Sequence, residues 1–252
     1  MNNGTITGAS WKQGSNCKYG SCLGLDGTDD FIDVGTGPTS VKTIGFWAYP
    51  GSTTEYFIDL NGSAYVWASA GTATTTGFTS PTIYVNGTAA TTILANTWQY
   101  ITVTTDTGLD ASDLDLGRLE GTDNYQGRLD EVRLYNAALT AAQVLSLYQN
   151  NDRAAGASLE NNLVAEWHLD ENSGSYTADT HYLREGKRGY ALKFDGVNDY
   201  LDMNGFALSN TPEGTFEAWV YKSGNGMIID NRQFYINPSG TSLYLDIYTT
   251  GG

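Results

Sequence analysis

KYGSCLGLDGTDDFIDV, residues 18–34, is matched without a gap by KRGYALKFDGVNDYLDM, residues 187–203. Each stretch places an Asp-Gly turn between short runs in which apolar and polar residues alternate. A second pair follows, with TIGFWAY at residues 43–49 and TFEAWVY at residues 215–221. Self-similarity at a long and nearly constant spacing indicates a duplicated unit. The sequence therefore predicts two related domains in tandem, each built from strands and tight turns.

Short alternating runs recur along the whole chain. The composition favours strands, since aromatic and β-branched residues pack well on a sheet, and 12% of the residues are aromatic while only 16% are charged. Pairs such as Asn61-Gly62 and Asn86-Gly87 separate the runs and are typical of hairpin turns. Such spacing predicts an antiparallel two-sheet sandwich. The predicted strands in the first copy are residues 23–25, 31–34, 43–49, 56–60, 65–69, 82–85, 98–104 and 127–135.

One segment, LTAAQVLSLY at residues 139–148, has a helical pattern instead. Ala142, Leu145 and Tyr148 recur at three-residue steps, and Thr140 is placed to cap the first turn. The polar residues that follow are expected to form a linker.

An ordered set of motifs resembles one family of secreted proteins. The set comprises LVAEWHLDENSG (residues 163–174), FDGVNDYLDM, TFEAWVY, NTWQYITVT (residues 96–104) and GRLDEVRLYNAALTAAQVLSLY (residues 127–148). It looks like the laminin-G-like, concanavalin A-like jelly-roll domain. The resemblance implies an all-β chain of two tandem antiparallel β-sandwich domains, with one short helix near the end of the first. We expect residues 1–150 to form the first domain, 151–162 the linker, and 163–252 an incomplete second domain.

Neither copy carries the whole set. The first copy begins after the place of the opening LVAEWHLDE strand, and the second has no counterpart of residues 98–104 or 127–148. Three explanations stay open. The chain is a piece of a longer array, or neighbouring copies supply the missing strands by strand addition, or the second copy is a shortened variant that still closes.

The two cysteines, Cys17 and Cys22, form a natural pair. Their counterparts in the second copy are Gly186 and Ala191, so both are missing together. Joint presence and joint loss predict a disulfide, which implies an oxidising compartment outside the cytoplasm. An extracellular location, or the surface of a cell or virion, is therefore expected.

The net charge of −15 excludes one class of partner. Nucleic-acid binding depends on clustered Lys and Arg, which the sequence lacks. No apolar run is long enough to cross a bilayer, so membrane insertion is not expected either.

Acidic turns are the candidate metal ligands. The resemblance implies a calcium ion at the sandwich edge, with an aspartate of the closing strand, matched here by Asp130, among its ligands. Calcium takes six to eight oxygen ligands in flexible geometry. The alternative is that Asp and Gly only build the turns. The candidate ligands are Asp26, Asp29, Asp130, Asp170, Asp195 and Asp199.

Catalysis has little support in the sequence, and we expect no enzyme. His168 and His181 lie in no recognisable motif, and the alternating acids of Asp113-Leu114-Asp115 lie in a turn-like stretch. Among the aromatic residues, Trp47 and Trp219 recur at one position and are expected to be buried. Trp67 and Tyr125 are the candidates for stacking on sugar rings.

Two functions compete. The first is a non-catalytic structural or adhesion module of a surface, filament or virion protein, whose partners are other copies of itself or neighbouring surface-protein domains, assembled in one version by strand exchange. The alternative is a carbohydrate-binding module of a secreted glycoside-active enzyme, with glycans as partners.

Overall fold

The computed structural model describes residues 2–121, 123–150, 159, 162–181, 183–185, 190–192, 229–230, 234–239 and 242–247. The chain divides into two compact units, Met1–His181 and Tyr182–Gly252. The strands of the first unit are β1 Gly4–Thr7, β2 Ser10–Gln13, β3 Ser21–Asp26, β4 Phe31–Gly35, β5 Val41–Pro50, β6 Glu55–Asp59, β7 Tyr65–Ser69, β8 Thr72–Thr76, β9 Thr82–Val85, β10 Thr88–Ala89, β11 Gln99–Leu109, β12 Leu114–Leu116, β13 Arg118–Leu119, β14 Asp123–Asn124, β15 Gln126–Tyr135, β16 Leu163–Trp167 and β17 Tyr176–Thr177. Among its described residues, a short 3-10 turn spans Gly14–Asn16 and helix α1 spans Ala141–Asn150.

The first unit is an antiparallel β-sandwich. Sheet A has the order β17-β1-β4-β12-β6-β7-β8, and sheet B has the order β10-β9-β11-β5-β15-β3-β2, with β16 paired to β15. The main apolar core lies between the sheets, because alternate residues of each strand point inward. The predicted all-β sandwich is confirmed, and each predicted strand overlaps an observed one.

Strand β5 shows how alternation builds this fold. Ile44, Phe46 and Ala48 are buried in the inter-sheet core. Trp47, between them, belongs to a second apolar cluster on the outer face of sheet B and is only 2% exposed. Trp47 is therefore buried as predicted, but outside the sandwich rather than within it.

Helix α1 covers that outer cluster. Val144 and Leu147 pack there with Trp47, and the Tyr148 ring lies 5.7 Å from the Trp47 ring. The predicted cap is present: the Gln143 backbone N–H donates to Thr140 Oγ1 at 3.3 Å, and the Thr140 N–H donates to Gln143 Oε1 at 2.9 Å. This reciprocal pair is a capping box.

The first unit ends later in the chain than residue 150, where the sequence predicted its boundary. Strand β16, which opens the second sequence copy, pairs with the Val132–Tyr135 half of β15, and β17 pairs with β1. The first unit consequently extends to His181. The physical reason is that β3 pairs only with the other half of β15, so without β16 the sheet would have an unpaired edge over an open core.

The predicted disulfide is confirmed. Cys17 and Cys22 are bonded, with their Cα atoms 5.4 Å apart. Both are buried, and Cys22 lies on β3 near the edge of sheet B. The bond closes the loop that leads from the short 3-10 turn into β3.

Strand β15 contains a bulge at Asp130 and Glu131. Its register with β5 shifts between Asp130 and Arg133, and Glu131 has a positive φ of 52°. A bulge inserts one extra residue and interrupts the alternation of faces. Asp130 and Glu131 therefore both lie outside the inter-sheet core, while Leu129 and Val132 on either side are part of it.

The interpretation of Asp113-Leu114-Asp115 as turn-like is correct for Asp113, which lies in a turn, and wrong for Leu114 and Asp115. Leu114–Leu116 is strand β12, which lies between β4 and β6 in sheet A. Leu114 and Leu116 are fully buried in the core, which places Asp115 on the outer face. Although β12 has only three residues, it is a central strand, because the strands on both sides of it pair with it.

The described part of the second unit is also antiparallel. Strands β18 Leu183–Glu185 and β19 Tyr190–Leu192 form one hairpin. Strands β20 Ile229–Asp230, β21 Phe234–Ser239 and β22 Ser242–Ile247 pair in succession. The candidate residues Asp195 and Asp199, and Trp219, lie outside the described residues. Among the described residues, no helix is both long enough and apolar enough to cross a membrane.

Candidate functional site

Three aromatic side chains lie side by side on the outer face of sheet A. Tyr56 is on β6, and Tyr65 and Trp67 are on β7, with Tyr56 directly opposite Trp67. Their rings form a continuous group: Tyr56 stacks on Trp67 at 5.4 Å with planes 7° apart, and Tyr65 lies 5.9 Å from Tyr56 and 6.4 Å from Trp67. All three are half-buried. We call this group the aromatic platform.

Polar groups surround the platform. Thr74 and Thr76 of the edge strand β8 lie opposite Trp67 and Tyr65. On the other side, the β13–β14 hairpin packs beside β6, and burial together with the nearby charge of Asp123 raises the pKa of Tyr56. An open cleft of about 260 Å³ lies by this hairpin. Its lining residues are Asp29, Phe31, Arg118, Leu119, Gly121, Asp123 and Asn124.

Three aspartates also lie across sheet A, at registered positions of adjacent strands. Asp115 is opposite Asp33 on one side and Asp59 on the other. Arg118 holds Asp115 by two hydrogen bonds, 2.7 Å from Nε and 3.0 Å from Nη2. Burial, only partly offset by Arg118, raises the pKa of Asp115 to about 6.

Asp59 is used to hold the backbone. Its Oδ1 accepts hydrogen bonds from the amides of Asn61 and Gly62 at 3.0 and 2.7 Å. Asp59 and Asp115 are therefore both engaged within the fold, and Asp33 is the exposed member of the row.

Tyr125 does not belong to a binding surface, so that interpretation is wrong. Its side chain is fully buried, its ring lies 5.5 Å from the Phe57 ring, and its hydroxyl donates to the Arg128 carbonyl at 3.2 Å. The reason is that β14 and β15 meet there, and the side chain turns inward to fill the end of the core. Trp67, the other predicted stacking residue, is part of the aromatic platform.

A groove of about 360 Å³ lies on sheet B. Its aromatic member, Tyr49, is already engaged, because the Arg128 guanidinium carbon lies 4.5 Å from the ring centre and the Trp98 ring 5.7 Å away. Lys12 and Asp26 contribute opposite charges to the lining. This groove therefore offers less free ring surface than the platform does.

Asp130 and Asp170 meet at one loop, residues 18–21. Asp130 Oδ2 accepts hydrogen bonds from the amides of Lys18 and Tyr19 at 3.1 and 2.9 Å, and Asp170 Oδ1 accepts from the Ser21 amide at 2.7 Å. The sequence placed these two aspartates in different copies. The pairing of β16 with β15 brings them together in the first unit.

Asp130 has the properties of a cation ligand. It is fully buried, and among the described residues its Oδ1 atom has no hydrogen-bond partner. Burial raises its pKa to about 8, and the charges of Glu131 and Asp170 add to this effect. A buried carboxylate oxygen beside other carboxylates requires a proton or a cation to neutralise it. Oxygen donors of this kind fit calcium.

Asp26 and Asp29 form a separate group with Asp30, and they do not join Asp130. Asp26 is opposite Gln126, four positions along β15 from Asp130. Single ligand atoms of the three lie within 4.8 Å of one another. Asp26 Oδ1 accepts from the Thr28 amide, and Asp30 Oδ2 accepts from the Asp26 amide. The group is accounted for as a turn held by its own side chains.

A buried ion network joins β15 to β16. Arg133 Nε lies 2.6 Å from Glu166 Oε1, and Arg133 Nη2 lies 2.6 Å from Glu131 Oε2. His168 Nδ1 lies 2.9 Å from Glu131 Oε2. Burial lowers the pKa of His168, but hydrogen bonds to both glutamates outweigh burial and raise it to about 10. The cation positions among these acids are thus taken by Arg133 and His168, so we assign the network a structural role.

Tyr56 is the member of the platform that sequence reasoning missed. Alternation along β7 alone puts Tyr65 and Trp67 on one face, but Tyr56 joins them only through the register of β6 with β7. The turn Asn61-Gly62 between the two strands was the available signal, because a tight turn brings the preceding and following residues opposite each other.

Comparison with known proteins adds little. No protein-family profile matches the chain, and no curated protein matches it. Among solved structures, domain 4 of AbnA, a GH43 extracellular arabinanase from Geobacillus stearothermophilus in complex with arabinotriose, is 18% identical. The match covers 58% of this chain and 88% of that chain, with a TM-score of 0.43. These values are too low for the likeness to support a function.

Proposed function

We propose that the first unit is a non-catalytic carbohydrate-binding module of a secreted protein. The observation that carries the proposal is the aromatic platform. Sugars have an apolar C–H face and a polar rim, and an aromatic surface bordered by hydrogen-bonding groups complements both. Exposed aromatic groups bordered by polar residues are typical of binding surfaces. The disulfide supports a secreted location.

Charge narrows the class of sugar. Asp29 and Asp123 line the cleft at the β13–β14 hairpin, and its one cationic side chain, Arg118, is paired with Asp115. Together with burial, the negative charge of Asp123 also raises the pKa of Tyr56 in the platform. The whole chain carries a net charge of −15. Negative potential disfavours acidic polysaccharides, so we propose neutral oligosaccharides or polysaccharides as ligands.

Binding without hydrolysis follows from the state of the carboxylates on this face. Glycoside hydrolysis requires two carboxyl groups free to act as acid and as base or nucleophile. Asp115 is held by two bonds from Arg118, and Asp59 by backbone amides. Asp33 alone would not supply the pair, which favours a binding module over a hydrolase.

A binding assay with single aromatic variants tests the proposal. We expect the chain to bind at least one neutral glycan on an array, and Trp67→Ala to weaken that binding by about tenfold or more, equivalent to about 1.4 kcal/mol. Tyr49→Ala, on the opposite sheet, is the matched control and should bind as the wild type. Absence of binding to every neutral glycan, or equal loss in both variants, would contradict the proposal.

A structural or adhesion module is the second candidate. The pairing of β16 with β15 favours it. Strand β16 follows a polar stretch of the sequence, and it completes the sheet of the first unit. Its partners would be neighbouring domains or further copies of this chain. This candidate would be favoured if the chain bound no glycan on the array and showed concentration-dependent association in light scattering.

We also propose a calcium site at Asp130 and Asp170. Ligand binding to the folded state alone adds about 2.7 kcal/mol of stability when the ligand is at 100 times its Kd. Calcium chloride should therefore raise the melting temperature of the wild type relative to EDTA, and Asp130→Asn should remove the shift. Asp26→Asn is the control, because it should keep the shift. If calcium does not raise the melting temperature of the wild type, the proposed calcium site is wrong. If Asp26→Asn also removes the rise, the calcium site involves Asp26 rather than Asp130 alone.

A further inference from the structure

One row of residues runs across the outer face of sheet A, from the aromatic platform to the edge strand β17. Each residue of the row lies directly opposite the next one on the neighbouring strand. From β7 to β17 the row consists of Tyr65, Asp59, Asp115, Asp33, Thr5 and Tyr176. Residues that lie opposite each other in an antiparallel pair share one face of the sheet. Tyr176 therefore lies on the same face of the sandwich as the platform.

Tyr176 is an exposed side chain on a strand that is held on both sides. With an exposure of 58%, it is the most exposed large apolar residue in the described part of the chain. The next residue, Thr177, is fully buried, and its hydroxyl donates to Glu171 Oε1 at 3.0 Å. The carbonyl of the preceding residue, Ser175, accepts from the Ile6 amide at 2.9 Å. A tyrosine ring on a held backbone loses little conformational entropy on binding, which suits it to contact a ligand.

The two ends of the row are accessible, whereas its centre is covered. Asp59 and Asp115 are buried, and the β13–β14 hairpin contacts both of them. The Glu120 amide of this hairpin donates to Asp59 Oδ2 at 3.4 Å. Between the hairpin and β17, Thr5 and Asp33 are exposed, and they offer a hydroxyl and a carboxylate to sugar hydroxyls. A ligand that reaches both ends of the row therefore passes over the hairpin and meets polar groups beyond it.

The separation of the two ends sets the length of such a ligand. The strand order β17-β1-β4-β12-β6-β7 separates Tyr176 from Tyr65 by five strand spacings, which is about 24 Å. One unit of an extended glycan advances by about one strand spacing, so roughly five units cover this distance. Neighbouring strands are also rotated by about 20° relative to each other, so the row winds along the sheet. A single chain can follow a winding row, whereas the flat face of a crystalline polysaccharide cannot.

We propose that the outer face of sheet A binds one long single chain of a neutral polysaccharide at two places, the aromatic platform and Tyr176. The inference rests on the carbohydrate binding proposed above, and it adds Tyr176 as a second stacking residue together with a minimum chain length. When the platform holds one part of a chain, another part of the same chain has an effective concentration at Tyr176 of the order of millimolar. A weak second contact therefore increases the affinity only for chains that are long enough to reach it.

A size series of one neutral oligosaccharide, selected by its binding on the glycan array, tests the proposal by titration calorimetry. For the wild type, the affinity should rise about tenfold between chains of roughly three and roughly eight units, which corresponds to about 1.4 kcal/mol. Tyr176→Ala should remove this rise and still bind the short chains as the wild type does, which also shows that it is folded. Tyr176→Phe should keep the rise because the ring remains. Trp67→Ala should weaken the binding of short and long chains alike.

The matched control is Tyr19→Ala, which removes an exposed tyrosine that contacts Trp47 on the outer face of sheet B. It should keep the rise in affinity with chain length. If short chains bind through Trp67 but the affinity does not rise with length, or if the rise persists in Tyr176→Ala, this inference is wrong and the platform alone is the site. If no chain of any length binds, the carbohydrate-binding function is wrong as well.

Crystalline particles of the same polysaccharide test the choice of a single chain as the ligand. Tyr176→Ala should bind them as the wild type does, because a flat surface that contacts the platform does not reach Tyr176. Weaker binding of Tyr176→Ala to the particles would contradict the assignment of a single chain.

Discussion

The outer faces of the two sheets differ in what covers them. Sheet B carries Trp47 and Tyr100 on its outer face, and both are buried beneath helix α1 and the loops around it. Sheet A carries Tyr56, Tyr65 and Trp67, which stay half-exposed. The local sequence pattern is the same on both sheets, with aromatic residues at outward positions. The difference comes from segments distant in sequence that cover one face and leave the other open.

The largest test of this comparison is a pair of tryptophan truncations. Trp167→Ala should lower the free energy of unfolding by about 4 kcal/mol, because a fully buried indole is lost and a cavity remains. Trp67→Ala should cost less, about 1 kcal/mol, since this side chain is only half-buried. Denaturant unfolding of both variants gives the comparison. Equal losses would show that the platform is part of the core.

Next in size are the effects of removing two arginines that neutralise buried carboxylates, the buried Arg133 on sheet B and the half-buried Arg118 beside sheet A. Arg133→Met should cost about 3 kcal/mol, because it leaves Glu131 and Glu166 buried without their partner. Arg118→Met should cost less, since Asp115, with a pKa of about 6, is neutralised by a proton more easily. Chemical denaturation at neutral pH measures both. A larger loss of unfolding free energy for Arg118→Met than for Arg133→Met would contradict this prediction.

The disulfide should contribute less again. Replacing Cys17 and Cys22 together by serine should cost about 2 kcal/mol, as expected for closing a very short loop. The effect should be confined to the β2–β3 edge of sheet B, and glycan binding on sheet A should not change. Thermal unfolding and the glycan assay on the same variant provide the check; impaired binding would mean that the two faces are coupled.

A pH dependence of stability should also arise on sheet A. The folded-state pKa of Asp115, about 6, lies above its ordinary value of 3.8. The folded chain therefore holds this proton more tightly, and its contribution to stability is present at low pH and is lost as the pH rises from about 4 to 6. Asp115→Asn should remove that slope from the pH profile of unfolding. An unchanged profile would assign the slope to another group.

Much of the first unit could be predicted from its local sequence. The predicted strands, the Thr140 cap and the disulfide depend on neighbours within a few positions, which is where alternation and turn chemistry operate. The burial of Trp47 was predicted from its recurrence as Trp219, and the helix that covers it is distant in sequence. The pairing of Cys17 with Cys22 needed one more comparison, namely the joint loss of both in the second copy.

The remaining features depend on contacts between distant segments. The unit boundary at His181 follows from the pairing of Leu163–Trp167 with β15, which no local pattern records. The signal was present in another form, because the first copy lacked an opening strand and the second began with one. Tyr125 was misassigned for a similar reason: its neighbours are polar turn residues, but its ring packs against Phe57, which is far away in sequence.

The bulge in β15 makes this strand sensitive to insertions and deletions. One surplus residue lets two consecutive acids share a side of the sheet, where Asp130 receives the loop amides of Lys18 and Tyr19 and Glu131 receives Arg133 and His168. Deleting either acid would restore a regular pleat and leave a single carboxylate for both tasks. Insertions or deletions at this point should therefore be purged by selection more strongly than point substitutions, although the strand would still pair without them.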